Sequence, residues 1–174
     1  MIANDNHTTT VTGSDNTLFG CEAGPTNLST DRSVIIGHKA GQRSVSDSVF
    51  IGYRAGFTGA GIASVAVGSS AGQNSQGGST VAVGYQAGRN NQNSNAIAIG
   101  DRAGFSNQGN NAIAIGPLCG VQTQGSQTVA IGDQAGNSSQ EEKSIAIGAL
   151  AGRNLQSTGA VAIGYQAGQE TQGS

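Results

Sequence analysis

The side chains that could do chemistry are few. The 174 residues include two histidines and two cysteines. His7 and His38 stand alone, with no second His or Cys at the short spacing from which loops and helices build metal sites. The sequence has no G-x-S-x-G elbow, no phosphate-binding Gly-rich loop and no paired carboxylates. No catalytic residue, cofactor site or metal site is assigned, and the chain is expected not to be an enzyme. What remains is a set of two-residue steps, each behind a glycine: His38-Lys39, Tyr53-Arg54, Ser69-Ser70, Tyr85-Gln86, Asp101-Arg102, Pro117-Leu118, Asp133-Gln134, Ala149-Leu150 and Tyr165-Gln166. Their aromatic, amide and charged groups suit binding of a glycan or a protein surface, provided that the fold lines them up.

Their spacing says that it does. The preceding glycines are Gly37, Gly52, Gly68, Gly84, Gly100, Gly116, Gly132, Gly148 and Gly164, and Gly20 opens the series. From Gly52 onward every step is sixteen residues. A second glycine follows four residues later, from Gly24 and Gly41 through Gly168. Before the first glycine stands a word of two β-branched residues around a small one, such as Ile97-Ala98-Ile99 and Ile113-Ala114-Ile115. Ala usually precedes the second glycine, with Cys119 in that slot once. Gln recurs at Gln76, Gln92, Gln108, Gln124, Gln140, Gln156 and Gln172.

Alternation with period two, in Val and Ile, predicts strands. Two glycines per unit argue against helix. Sixteen extended residues reach about 50 Å at most, enough for one small closed coil. Stacked coils would pair each strand with its equivalent in the next coil, about 4.8 Å away. The pattern predicts an all-β chain: a parallel β-solenoid of about ten coils over residues 16–174, with residues 1–15 as an N-terminal cap or junction. The alternating Thr8, Thr10 and Thr12 suggest a strand there. The C-terminal QETQGS stops inside an eleventh unit, which suggests truncation or a following domain.

Composition agrees with a thin core. Gly supplies 29 residues, Trp is absent, aromatics are 4% and charged residues 10%. Burial must then come from Val, Ile and Ala. Net charge is −2 with no basic patch, so nucleic-acid binding has no electrostatic basis. No run of about 18 apolar residues is available to span a membrane, and the N-terminus lacks the regions of a signal peptide.

Val and Ile ladders are expected to stack along the axis and Gln to bond from coil to coil; one assignment puts Val and Ile inside the coil. Ala66, Ala82, Ala98, Ala114, Ala130, Ala146 and Ala162 then make a smooth outer stripe. The opposite assignment, Ala inside and Val/Ile outward, would expose even more apolar surface. Both predict a partner chain against that face, and identical chains around an axis would cover it.

The words SVAVGSSAG, STVAVGYQAG, NAIAIGDRAG, KSIAIGALAG and GAVAIGYQAG resemble the head repeats of trimeric autotransporter adhesins. They also resemble the AIGYQAG arrays of phage and giant-virus tail or surface fibres. The resemblance implies a left-handed β-roll, a homotrimer, and attachment to a host receptor, glycan or matrix from a virion or cell surface. Adhesin heads use about fourteen residues per coil, so sixteen implies a longer coil or an added turn.

Against that background the reactive residues read as structural. Sixteen is not a multiple of six, which separates the array from hexapeptide acyltransferases and their catalytic His. His38 is expected in a surface turn and Cys119 as a small buried residue. Cys21 and Cys119 are six coils apart, roughly 29 Å, too far for a disulfide. Asp101 and Asp133 are two coils apart, about 10 Å, and no calcium-binding nonapeptide accompanies them. Phe57 and Phe105 suggest sugar-stacking platforms or half-buried corners. A passive spacer is a second reading of the array. An ice-binding rod is a third, weakened by the scatter of Thr80, Thr128 and Thr158.

Overall fold

The computed structural model describes residues 13–24, 31–43 and 46–172. Among these there is no helix, and every regular element is a strand of two or three residues. Ten strands form one parallel sheet in chain order: Thr17–Phe19, Val34–Ile36, Val49–Ile51, Val65–Val67, Val81–Val83, Ile97–Ile99, Ile113–Ile115, Val129–Ile131, Ile145–Ile147 and Val161–Ile163. Like stacks on like, Val65 against Val81, Ala66 against Ala82 and Val67 against Val83. A second parallel wall holds Thr58–Ala60, Asn74–Gln76, Asn90–Gln92 and Ser106–Gln108. Bridges from Gln108 through Gln124 and Gln140 to Gln156 prolong it, as does the pairing of Leu155–Gln156 with Thr171–Gln172. The fold is the expected parallel β-solenoid, and its ten-stranded sheet makes nine stacking steps, about 43 Å at ordinary strand spacing. The expected Thr8–Thr12 strand lies outside the described residues.

Of the two assignments for the repeated word, the interior takes the one with Ala inside and Val/Ile outward. Ala66, Ala82, Ala98, Ala114, Ala130 and Ala146 have no exposed surface, and Ala162 keeps 2%. The flanking Val and Ile point outward and are half-buried or exposed. The opposite wall supplies the reason. Gln76, Gln92, Gln108, Gln124, Gln140 and Gln156 are buried. Their amides cross the coil: Gln92 Nε2 donates to the carbonyls of Val81 at 2.9 Å and Ala96 at 3.1 Å. Gln108 Nε2 does the same to Ile97 at 2.7 Å and Ala112 at 3.2 Å. A coil already filled by a glutamine has room for a methyl on the facing strand and not for an isoleucine, because interiors are close-packed. The coil-to-coil amide bonds expected of this column exist for Gln76 to Gln92, Gln124 to Gln140 and Gln140 to Gln156.

The first three described rungs solve the same packing problem with a large residue at the inward position, Leu18, Ile35 and Phe50, all buried. Phe50 stacks on Ala66, and Ala60 stacks on Gln76. Phe50 is fully buried. A Cβ added to Gly56 would lie 2.6 Å from Phe50 Cε1, and one added to Gly72 would lie 2.6 Å from Gln76 Oε1. The ring therefore occupies the space that the amide takes in the next coil: a large residue has moved from one wall to the other, and a small one has moved back.

The first glycine of each unit answers to stacking. A Cβ on Gly100 would sit 2.6 Å from the carbonyl oxygen of Gly116, and φ there is +132°. Backbone bonds run from coil to coil along the sheet and around the corner, as in Gly84 N to the Val67 carbonyl at 2.8 Å and Gln86 N to the Ser69 carbonyl at 3.0 Å. These bonds satisfy groups that so thin a core could not otherwise bury.

Candidate functional site

The corner after each first glycine is the place where variable side chains come together. Its second residue takes the left-handed conformation, with φ of 52° at Arg54, 54° at Gln86, 51° at Arg102 and 56° at Gln166. Coil-to-coil bonds hold successive corners in line: Arg54 N to the His38 carbonyl at 3.0 Å, Arg102 N to the Tyr85 carbonyl at 2.9 Å and Gln166 N to the Ala149 carbonyl at 2.9 Å. His38, Tyr53, Tyr85, Asp101, Arg102, Tyr165 and Gln166 are exposed there, while Arg54 and Gln86 are half-buried. The nine candidate positions thus share one edge of the rod.

They do not form one continuous patch. His38 and Tyr53 stack with ring centroids 5.6 Å apart and planes 28° apart. The Arg54 guanidinium lies over Tyr53 at 5.2 Å and over Phe57 at 5.3 Å. This group of four is contiguous. Ser69 and Ser70 then separate it from Tyr85, and Tyr165 is five rungs beyond Tyr85, roughly 24 Å. Phe57 and Phe105 are half-buried corner residues, each with an arginine across its face, Arg54 at 5.3 Å and Arg89 at 5.6 Å.

Two residues outside the nine candidate positions join the N-terminal end of this edge. Cys21 and Glu22 hold the same corner positions one coil before His38 and Lys39, and Lys39 N bonds the Cys21 carbonyl at 3.0 Å. His38 is therefore not isolated. Its Nε2 lies 4.0 Å from Glu22 Oε1. The other Glu22 oxygen is 3.7 Å from Lys39 Nζ and accepts from Gln42 Nε2 at 2.9 Å. The ligating atoms of Cys21, Glu22 and His38 all lie within 4.8 Å of one another. The signal was present as a shared register: in a solenoid, neighbours are one coil apart, here seventeen residues, and not two to four.

The two thiols differ sharply. Cys21 is exposed, Cys119 is buried, and no disulfide joins them. Burial pushes the Cys119 thiol up to about 12, and its Sγ donates to the Ala130 carbonyl at 2.8 Å. Thr80 and Thr128 are fully buried, so neither contributes to a water-ordering face. None of the helices of an ordinary membrane span exists among the described residues.

Compared with protein families, curated proteins and solved structures, the chain matches none. The geometry itself defines a class: a parallel β-solenoid with one apolar outer face and one polar, aromatic edge.

Proposed function

We propose that this chain is a structural module of a surface fibre or adhesin head, which projects from a virion or cell and attaches to a host receptor, glycan or matrix protein. The observation that carries the reading is the outer face of the ten-stranded sheet. Its outward positions are Val, Ile or Phe in every rung, with Thr17 as the one polar exception. The face is about 43 Å long and roughly 10 Å wide, on the order of 400 Å². A continuous ladder of that size matches the largest patch of a typical monomer, which is often functional, and supports an interface there. Even the terminal rungs are apolar, with Phe19 49%, Val161 52% and Ile163 64% exposed. A second copy of the same chain offers the same ladder at the same spacing. Three copies in a left-handed roll around one axis is the arrangement implied by the resemblance to adhesin heads and viral fibres. In it the Val/Ile faces meet at the axis and the corner edges stay accessible.

Sedimentation equilibrium on the purified chain tests the assembly: a mass of three chains is expected, and a stable folded monomer overturns it. Glycan arrays and cell-binding assays on the isolated rod test attachment. The passive spacer draws on the regularity of the coils and predicts no binding in either assay.

A further inference from the structure

We propose that Cys21, Glu22 and His38 bind a divalent transition ion of the Zn²⁺ class, which staples the first described rung of the solenoid to the second. Thiolate, carboxylate and imidazole are the donor set that such a borderline-soft ion takes, whereas Ca²⁺ and Mg²⁺ select oxygen. The arrangement is the one place among the described residues where three such groups meet.

The backbone brings the donors together before any ion arrives. Cys21 and His38 are stacked equivalents, and the bond from Lys39 N to the Cys21 carbonyl at 3.0 Å locks their corners in register. The donor atoms lie within 4.8 Å of one another. Ligands at about 2.0 to 2.3 Å from a tetrahedral zinc are about 3.4 to 3.7 Å apart. Closing the cluster takes roughly 1 Å of side-chain movement, which rotamers at an exposed corner permit. The His38 ring stacks on Tyr53 with centroids 5.6 Å apart. Gln42 holds Glu22 through one oxygen at 2.9 Å, and the other oxygen faces His38. The fourth position is open to water.

Lys39 is the opposing element. Its ammonium is 3.7 Å from Glu22 and competes with an incoming cation for that carboxylate. A bound ion would add a cross-link between the first two described rungs to the backbone bonds that already join them.

Anaerobic titration of the reduced, metal-free chain with Co²⁺ reads the site directly. The expected result is one ion per chain, a thiolate-to-cobalt charge-transfer band, and its loss when Zn²⁺ is added. Cys21→Ser abolishes the band. His38→Ala and Glu22→Gln weaken binding by more than about tenfold, and Lys39→Gln tightens it. Cys119→Ala binds as the parent does, because that thiol is buried. Zn²⁺ raises the melting temperature of the parent and not of Cys21→Ser. Circular dichroism checks that each variant keeps its strands. A folded chain that gives no charge-transfer band, a band that survives Cys21→Ser, or unchanged affinity in His38→Ala overturns the proposal. None of these readouts depends on oligomeric mass or host binding.

Discussion

At the scale of single residues, the interior behaves as a set of interchangeable volumes. Phe50 with Ala60 and Ala66 with Gln76 fill equivalent coils. Phe50→Ala alone should empty a buried ring and cost about 3 to 5 kcal/mol. Ala60→Gln alone should overpack the coil by about 1 to 3 kcal/mol. The double variant recreates the arrangement of the next coil, so chemical denaturation should find it more stable than the sum of the single changes by more than about 1 kcal/mol. Additive effects would show that the two walls do not share one space. Cys119 makes a second case. Its register is otherwise alanine, and Cys119→Ala should change stability by less than about 1 kcal/mol at neutral pH. The sign at alkaline pH follows from linkage. The folded thiol is raised to about 12, above its value in the unfolded chain. Below about pH 8 both states hold the proton. Between there and pH 12 the unfolded chain loses it first, so stability falls by up to about 1.4 kcal/mol per pH unit. Denaturation midpoints measured from pH 8 to 11 should fall less steeply for Cys119→Ala than for the parent.

At the scale of strands and corners, much of the architecture is legible in the sequence, because periodicity survives translation into stacking. The strand words, the glycine corners, the glutamine column and the line of variable corner residues all follow from a step of sixteen. The facing of Val-Ala-Val does not. Period two says that Ala and Val lie on opposite sides and is silent on which side is inside. Hydrophobicity favours Val within, and the glutamine on the facing wall overrides it by filling the coil. Phe50 was readable, since VFIG stands where VAVG stands, but only once the Ala position is known to be inside. Cys21 beside His38 is not legible as a ligand pair along the chain, because stacking of coils and not short spacing brings the two together. Corners also separate two kinds of glycine. Gly100→Ala places a methyl against the Gly116 backbone, 2.6 Å from its oxygen, and no side chain can move to relieve it. It should cost at least about 3 kcal/mol. Gly78 has 3.6 Å of clearance to its nearest neighbour and no left-handed φ. Gly78→Ala should be neutral or stabilising by about 0.4 to 1 kcal/mol. Thermal melts of the two variants would separate a stacking requirement from a merely permissive glycine.

At the scale of the whole molecule, the apolar sheet face and the polar edge make separable demands, and one pair of substitutions can divide them. Ile115 points outward at the middle of the ladder and is half-buried within one chain. A lysine there can extend into water from an isolated rod, at a cost of roughly 1 kcal/mol or less. In an assembly around the axis the same ammonium from every copy would be taken out of water near its equivalents, at several kcal/mol each. On the proposed assembly, Ile115→Lys should therefore give a folded monomer, seen as one-chain mass with strand circular dichroism retained. Tyr53→Ala, on the exposed edge, should leave the mass unchanged and reduce attachment, because it removes the ring between His38 and Arg54. If both variants keep the parental mass, the Val/Ile ladder is not the contact between chains. If Ile115→Lys unfolds as it dissociates, the single chain cannot bear its own apolar face, and association and folding are one event. Loss of binding on Tyr53→Ala at constant mass would separate a fibre that recognises its target from one that only spans a distance.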